Sequence, residues 1–390
     1  MTANQIRFGI IGAGLMGREF ASAAARWCHL LDLDFEPRIV SVCDTNPEAV
    51  AWFAKHVPTI RQTTGSYREL LDNPDIDAIY CAVPHHLHES LYGDIIRSGK
   101  HLLGEKPFGI DREANRSIVR AIADHPQSIV RCTSEFPFFP GARRLIQWMQ
   151  EKRFGTIIEA EAGFLHSSDL DPRKPINWKR RIESNGEYGC MGDLGMHVLH
   201  APLLFGWTIR NVRSLLSKIV HERPDSQGGM TPCETWDNAI LACETEADGH
   251  PFPLLLSMKR IDPGHANTWF IRIKGTELSA EFSTQYPKQL RYLPYSPGKE
   301  QAWRQLDVPY ESVYPTITGP IFEFGFTDSI LQMWASFCEE VVCGTTAKSI
   351  RCVTPEQTVQ AHELFTAALQ SQKTGETVHL SPPSVRRRIP

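Results

Sequence analysis

The sequence predicts an α/β protein in which an N-terminal doubly wound parallel sheet precedes an α+β domain with a large, mostly antiparallel open sheet. An apolar strand at residues 6–11 runs into a turn with glycines at positions 12, 14 and 17. Strand and helix patterns then alternate up to about residue 135, which indicates parallel strands. From residue 211 to 293, strands follow one another without helices between them, which indicates an antiparallel sheet.

The alternation in the N-terminal half defines its elements in order. Continuous apolar runs are typical of parallel strands that are buried on both faces, and Asp111 and Pro47 are typical of helix starts. We predict strands at 38–44, 77–83, 101–104 and 128–132, and helices at 18–26, 47–55, 87–98 and 111–124.

In the second half of the chain, the regular alternation of strands and helices ends. Most of the predicted elements there are strands, and helices flank them. An irregular polar stretch at 167–187 and a Pro- and Gly-rich stretch at 294–325 are predicted to be loops. We predict helices at 141–152, 192–204, 328–343 and 355–372, and strands at 156–165, 212–221, 237–246, 253–260, 268–274, 277–282, 289–293 and 377–380.

Length and charge limit the classes of protein to consider. With 390 residues, the chain should form two domains, and the change of pattern divides them into 1–135 and 136–390. A net charge of −4 gives no broad basic field for nucleic acid, and the basic residues 386–388 are expected to be a solvated tail. Scattered cysteines without a C-x-x-C pair, and no signal peptide or membrane span, predict a cytoplasmic protein.

The glycine turn indicates a dinucleotide site. Gly12 permits the tight turn, Gly14 lets the backbone approach the phosphates, and Gly17 lets the helix pack on the strand. The first helical residues, Leu15 and Met16, should present free amides to the pyrophosphate. Such a motif alone also fits a flexible turn, but its place between a strand and a helix favours the cofactor.

Asp44 ends the second strand, where an acid can bind the hydroxyls of the adenosine ribose. Its charge would repel a 2′-phosphate, so NAD is favoured and NADP is disfavoured. Asp44 lies 27 residues after Gly17, against about 20 in the usual spacing. An insertion at 29–37 explains the difference, and an ordinary turn aspartate is the alternative.

Polar residues at two other places are candidates for chemistry. Glu105 and Lys106 follow a strand of the nucleotide half, although Glu-Lys-Pro is also a common surface tripeptide. Asp193 and His197 share one face of an apolar helix, where a His paired with a carboxylate can exchange protons near neutral pH. Zinc binding and a satisfied core histidine are the alternatives for His197.

Histidines 85, 86 and 88 follow Pro84 at the end of another strand of the nucleotide half. A helix N-terminus disfavours a metal ion there, and no cysteine or carboxylate cluster joins them. We therefore predict no metal site, and we assign Pro84, His85 and His88 to contact with the cofactor.

These motifs together resemble the Gfo/Idh/MocA oxidoreductase family. Six of them occur in the family's order and spacing between residues 6 and about 206. They are the glycines at 12, 14 and 17, Val83-Pro84 with His88, Gly99-Lys100-His101, Glu105-Lys106-Pro107, Phe154-Gly155-Thr156-Ile157, and Asp193 with Gly195 and His197.

The resemblance implies a Rossmann domain and an open sheet used for dimer or tetramer contacts. It also implies oxidation of a secondary hydroxyl of a sugar, sugar derivative or cyclitol, with Lys106, Asp193 and His197 around the reacting carbon. Trp178 and Arg180 resemble a stretch that lines the family's sugar pocket, although Trp178 also fits a packed loop.

The chain departs from the family at two positions. His85 stands where many members have Asn, and His200 stands where they often have Asp. We place His166 and His200 beside the substrate, where His200 would alter its orientation.

The sequence-based hypothesis is an NAD-dependent dehydrogenase acting on a small-molecule carbohydrate or polyol, assembled as a homodimer or homotetramer, with no nucleic acid or membrane partner. An NAD-dependent glycosidase or lyase that works by transient oxidation is one alternative. A non-catalytic NAD-binding sensor is another, and the physiological direction of a reversible dehydrogenase is open.

Overall fold

The structure, a computed structural model, describes residues 4–346 and 348–381, so the basic tail at 386–388 lies outside the described residues. The chain divides into two compact units. The first comprises residues 4–138 and 310–358, and the second comprises 139–309 and 359–381. The second domain is therefore not the continuous block 136–390 that the sequence predicts, because the segment 310–358 packs with the first unit.

A six-stranded parallel sheet with the order β3-β2-β1-β4-β5-β6 forms the centre of the first unit. The strand order reverses beside β1, as in dinucleotide-binding folds, and this confirms the predicted doubly wound sheet. The strands are β1 (Asn4–Ile11), β2 (Phe35–Cys43), β3 (Gln62–Thr64), β4 (Ala78–Cys81), β5 (His101–Gly104) and β6 (Val130–Cys132). The helices between them are α1 (Leu15–Ala25), α2 (Pro47–His56), α3 (Tyr67–Leu71), α4 (His88–Arg97) and α5 (Arg112–Asp124).

Local sequence signals explain where these elements begin. Strand β4 is buried along its whole length, as its continuous apolar sequence predicts. The Asp111 carboxylate accepts a hydrogen bond of 2.8 Å from the Ala114 amide and caps α5, which confirms the predicted helix start. The short elements β3 and α3 are missing from the prediction, because few apolar residues mark them.

In the second unit, a ten-stranded sheet is the main element, and its order is β17-β16-β15-β14-β7-β13-β12-β9-β18, with β8 beside β12. The central strand β7 runs parallel to β13, and the remaining pairs are antiparallel. The strands of the sheet are β7 (Ile157–Leu165), β8 (Thr208–Ile209), β9 (Asn211–Ser217), β12 (Asn238–Ala247), β13 (His250–Lys259), β14 (Thr268–Gly275), β15 (Leu278–Ser283), β16 (Gln289–Pro294), β17 (Arg304–Asp307) and β18 (Val378–His379). This confirms the mostly antiparallel sheet, although β17 lies in a stretch predicted to be loop.

The described residues also form a small hairpin, five further α-helices and four short 3-10 helices. The hairpin strands β10 (Glu222–Pro224) and β11 (Met230–Pro232) pair with each other. The helices are α6 (Pro140–Gln150), α7 (Ile182–Asn185), α8 (Cys190–Leu204), α9 (Phe326–Cys343) and α10 (Pro355–Thr374).

Helix α9 completes the core of the first unit by packing against α1. The Trp334 ring lies 5.1 Å from the Phe8 ring and 4.4 Å from the Phe20 ring, measured between centroids. Phe20 in turn stacks on Tyr80 at 3.9 Å. A residue far along the chain therefore fills the space between β1 and α1.

Helix α8 is buried from residue 190 to 202, as expected of a mostly apolar helix inside a core. It packs against β13 and β7. A Cβ added at Gly195 would lie 2.4 Å from the Phe365 ring, so only glycine permits this close packing. Asp193 and His197 are thus carried on a tightly held helix.

Three kinds of feature are absent from residues 4–346 and 348–381. No helix there has the length and hydrophobicity to span a bilayer. No group of three or more His, Cys, Asp or Glu side chains there is arranged to hold a metal ion. The ten cysteines, all within these ranges, are free thiols.

Candidate active site

The glycine turn in the first unit has the geometry that its sequence predicts. Gly12 has a φ of +100°, and an added Cβ would lie 2.1 Å from the Ala82 carbonyl oxygen. At Gly17, an added Cβ would lie 2.2 Å from the Gly12 carbonyl oxygen. At Gly14 it would meet nothing within 4 Å. The turn is therefore closely packed on its inner side and open at Gly14, where phosphates would approach.

Asp44 faces this turn from the end of β2. Its Oδ2 accepts a hydrogen bond of 2.7 Å from the Ala13 amide, and its Oδ1 accepts one of 2.8 Å from the Asn46 amide. Leu15, which is exposed, and the half-buried Met16 open α1 beside the turn. The carboxylate is thus fixed next to the glycines, in the position that suits a ribose diol.

Two of the three histidines after β4, His85 and His88, are buried, whereas His86 is exposed. His88 is fully buried, its ring stacks on Tyr92 at 4.7 Å, and its Nε2 lies 3.0 Å from the Val83 carbonyl oxygen. His85 is also buried, 5.5 Å from the His88 ring. This burial argues against the predicted direct contact of either histidine with a cofactor. Both instead pack beneath the turn that leaves Pro84 half-buried.

Three ionisable groups meet at the ends of β5 and β6. Glu105 is buried and accepts a hydrogen bond of 2.8 Å from the Tyr80 hydroxyl, whereas Lys106 is partly exposed. Glu135, which the sequence analysis missed, is also buried. Burial raises the pKa of Glu135 to about 8, the Glu105 carboxylate adds to the rise, and Lys106 opposes it. Near neutral pH this carboxyl is therefore largely protonated.

In the second unit, two cations hold Asp193. The Lys179 ammonium lies 3.0 Å from its Oδ1, and the Arg260 guanidinium bonds its Oδ2. Asp193 is buried, whereas part of the Lys179 side chain reaches solvent. Two adjacent cations favour the ionised carboxylate. Neither Lys179 nor Arg260 was predicted to belong to the site.

His197 is held one helical turn after Asp193. Its ring meets the Phe164 ring edge-on at 5.4 Å, and its carbonyl oxygen accepts a hydrogen bond of 2.9 Å from the Trp269 indole. His197 is 5% exposed, so it has almost no contact with solvent. The predicted placement of Asp193 and His197 on one helix is therefore what the structure shows, while their chemical roles stay a prediction.

The other predicted substrate residues differ from one another. Trp178 is half-buried, with the Lys179 ammonium 5.5 Å from its ring. His166 is half-buried beside Phe164, and burial, followed by the charge of Arg260, lowers its pKa to about 4. His200 is fully buried on α8, which argues against direct contact with a substrate.

Arg180 does not lie where a substrate contact requires it. It is fully buried and bonds Asp169 and Asp237. The neighbouring Lys179 is the cation that reaches Asp193. Because Lys179 and Arg180 are adjacent cations, the sequence alone could not show which of the two is buried. The structure therefore corrects the sequence prediction for Arg180 and gives it a structural role.

Residues 6–131 match the model of a family described as an oxidoreductase family with an NAD-binding Rossmann fold. This domain, residues 6–131, belongs to the Gfo/Idh/MocA oxidoreductase family. The match confirms the family resemblance that the motifs carry, and it confirms NAD as the cofactor of the domain.

Relatives of known name match parts of the chain. Levoglucosan dehydrogenase of Pseudarthrobacter phenanthrenivorans is 26% identical over 226 residues, which cover 57% of this chain and 57% of that protein. The α-N-acetylgalactosaminidase of Shewanella oneidensis is 27% identical over 169 residues, 41% of this chain and 35% of that protein. This chain therefore matches only about half or less of these relatives' lengths.

The fold is shared over nearly the whole chain. A solved levoglucosan dehydrogenase in complex with NADH superposes with a TM-score of 0.86 at 22% identity, covering 97% of this chain and 100% of that one. This chain therefore shares the fold of that structure.

We expect Gly12→Ala to affect the stability of the protein and Gly14→Ala to affect its NAD binding. Gly12→Ala should destabilise the protein by about 1–3 kcal/mol through backbone strain alone, because its φ is positive. Gly14→Ala should leave the unfolding temperature unchanged but weaken NAD binding, because the added methyl group points into open space. Thermal unfolding and calorimetric NAD titration measure the two effects. Equal loss of stability in both variants would contradict this interpretation.

Glu135 should make the first unit less stable as the pH rises. Its folded pKa of about 8 lies above its ordinary value of 4.5, so its favourable contribution is complete below about 4.5 and is lost as the pH rises through about 8. Glu135→Gln should therefore be more stable than wild type at pH 9 by on the order of 1 kcal/mol. Urea unfolding between pH 5 and 9 tests this, with the exposed Glu113→Gln as a control. Parallel pH curves for wild type and Glu135→Gln would refute it.

Proposed function

We propose that this protein is an NAD-dependent dehydrogenase that transfers a hydride between a secondary alcohol carbon of a sugar, sugar derivative or cyclitol and the nicotinamide. The observation that carries the proposal is the dry His197 on the same helix as an Asp193 that two cations hold. In the first unit, the proposal is supported by an NAD-binding domain in which Lys106 follows a parallel strand.

Oxidation of an alcohol removes a proton from oxygen and a hydride from carbon. NAD, when bound, accepts the hydride. His197 takes the hydroxyl proton, and Lys106 stabilises the negative charge that develops on the oxygen. Asp193 orients His197, which lies one helical turn after it, since its own carboxylate is engaged by Lys179 and Arg260.

The first unit supports NAD rather than NADP. Asp44 is held in place by two backbone amides beside the glycine turn, so it can accept hydrogen bonds from both ribose hydroxyls. A 2′-phosphate would meet this negative charge at short range. Leu15, Met16, Pro84 and the Glu105 segment complete the proposed cofactor surface.

The second unit supports a carbohydrate substrate. The half-buried Trp178 indole offers a flat apolar surface for the carbon face of a sugar, and Lys179 offers a donor for its hydroxyls. His166 stays neutral near pH 7 and can donate or accept one hydrogen bond. The match to levoglucosan dehydrogenase agrees with a sugar substrate.

The second candidate is an NAD-dependent glycosidase or lyase. It is favoured by the match to an α-N-acetylgalactosaminidase over 169 residues. In that reaction the same residues would oxidise the sugar only transiently, and no NADH would accumulate.

We also propose a cytoplasmic homodimer or homotetramer. The outer face of the large sheet exposes apolar side chains on three neighbouring strands, and apolar patches of this kind mark association surfaces. These side chains are Leu215, Ile240 and Leu255.

The deciding assay follows absorbance at 340 nm with NAD or NADP and a panel of sugars, cyclitols and glycosides, with products analysed in parallel. We expect NADH to appear with NAD and one class of polyol. Lys106→Met should keep NAD affinity and lose at least about a hundredfold in kcat, because it removes the charge that stabilises the alkoxide. Lys55→Met, at an exposed position on α2, should behave as wild type.

The outcomes separate the candidates. Product without NADH would establish the glycosidase or lyase instead. Tight NAD binding with no reaction on any substrate would indicate a sensor. Full activity of Lys106→Met would remove that residue from the catalytic set.

Trp178 provides a test of substrate stacking. Trp178→Ala should raise KM for the preferred sugar about tenfold, since the stacking surface contributes about 1 kcal/mol or more. Trp178→Phe keeps a flat ring and should recover most of this loss. Steady-state kinetics decide the point, and an unchanged KM in Trp178→Ala would mean that the indole only packs its loop.

A further inference from the structure

We propose that Arg260 is a positioning residue that fixes the charge and orientation of Asp193, and that Asp169 holds Arg260 in place from the opposite side. The proposal deepens the proposed function, because Asp193 is part of the catalytic set assigned there.

Arg260 lies directly after β13, and its side chain is occupied on three sides. Its Nε lies 2.7 Å from Asp169 Oδ2, one terminal nitrogen bonds Asp193, and the other lies 3.3 Å from the Ser168 hydroxyl. Its backbone amide donates a hydrogen bond of 2.9 Å to the Asp237 carbonyl oxygen. The guanidinium therefore has one orientation, and that orientation presents a donor to Asp193.

Asp169 is anchored in turn. Arg180 bonds its Oδ2, and Lys174 lies 3.0 Å from its Oδ1. Burial opposes the ionisation of Asp169, but Arg260 and Arg180 outweigh this and lower its pKa. Asp169 is therefore ionised, and its carboxylate holds the Arg260 guanidinium in place.

The second anchor of this assembly is Asp237. It bonds Arg180, and its Oδ2 accepts hydrogen bonds of 2.8 Å and 3.0 Å from the amides of Ile219 and Val220. We call the alternating chain Asp237, Arg180, Asp169, Arg260, Asp193 and Lys179 the buried ion-pair chain. Its three carboxylates lie against three cations, and the half-buried Lys174 adds a fourth cation at Asp169. The removal of Arg260 therefore takes one of the two cations from Asp193.

The charged and titratable groups that face Asp193 come from several elements. They are Lys179 from the loop before α7, Arg260 after β13, His166 after β7, and Cys190 and His197 on α8 itself. Arg260 is also the second cause, after burial, of the low pKa of His166. A change at Arg260 should therefore reach both Asp193 and His166.

Three variants test this role. Arg260→Met removes the cation, and Arg260→Lys keeps the charge but loses the planar fork that bonds two carboxylates. Arg223→Met is the control, because Arg223 is also fully buried in this unit and donates hydrogen bonds to the backbone carbonyls of residues 169, 171 and 174.

The first readout is the titration of histidine rings by NMR on the protein without substrate. In Arg260→Met, the pKa of His166 should rise by about one unit, because a neighbouring cation has been removed. Arg223→Met should lose stability and leave this titration unchanged. If Arg260→Met does not fold, the double variant Arg260→Met with Asp169→Asn removes one cation and one anion together and should show the same shift.

The second readout is the pH profile of kcat/KM with the substrate found by the 340 nm assay. Arg260→Met should move the acid limb upward by about one pH unit, since Asp193 is protonated more readily. Its kcat should fall about tenfold or more with little change in KM, with Arg260→Lys in between. The proposal would be overturned if Arg260→Met had the same His166 pKa and the same pH profile of kcat/KM as the wild-type protein. The NMR readout needs no turnover, so it stands even if no dehydrogenase substrate is found.

Discussion

Balanced charge in the interior of the second unit is the constraint on which its site depends. Asp169 is fully buried between two guanidinium groups, and an unpaired charge at that depth would cost several kcal/mol. The loop that carries Trp178 and Lys179, the end of β13 and helix α8 must therefore come together in one arrangement. The chemistry proposed for Asp193 and His197 uses the rigidity that this requirement produces.

The first unit has a different constraint, which is steric. At Gly12 and Gly17 there is no space for a side chain, whereas Gly14 faces open space. Backbone packing at these glycines therefore holds the strand, the turn and the helix close together, in addition to the ring contacts of Phe8 and Phe20. Asp44, at the end of β2, then needs no special loop to hold it near the turn.

Sequence patterns predicted the parts of this molecule that short-range signals control. The glycine turn, the capping of α5 by Asp111 and the strand Ala78–Cys81 follow from neighbouring residues. The partners of Asp193 do not follow from neighbouring residues. Arg260 lies far away along the chain, and an arginine after a strand has no distinctive pattern. The direction of Arg180 could not be predicted either, since burial of a cation depends on carboxylates elsewhere. For the same reason, the protonated state of Glu135 arises only from its burial beside Glu105.

The return of residues 310–358 to the first unit has a consequence for biosynthesis. Trp334 fills the space between Phe8 and Phe20, so the core of the cofactor domain is incomplete when the ribosome has made only its six strands. The whole central segment, with the large sheet, emerges before α9 can dock on α1. Nascent chains must therefore keep an unfinished aromatic surface out of contact with other chains. Genetic exchange of the NAD-binding domain between proteins of this fold would have to carry α9 with it, as a second fragment cut from a distant part of the gene.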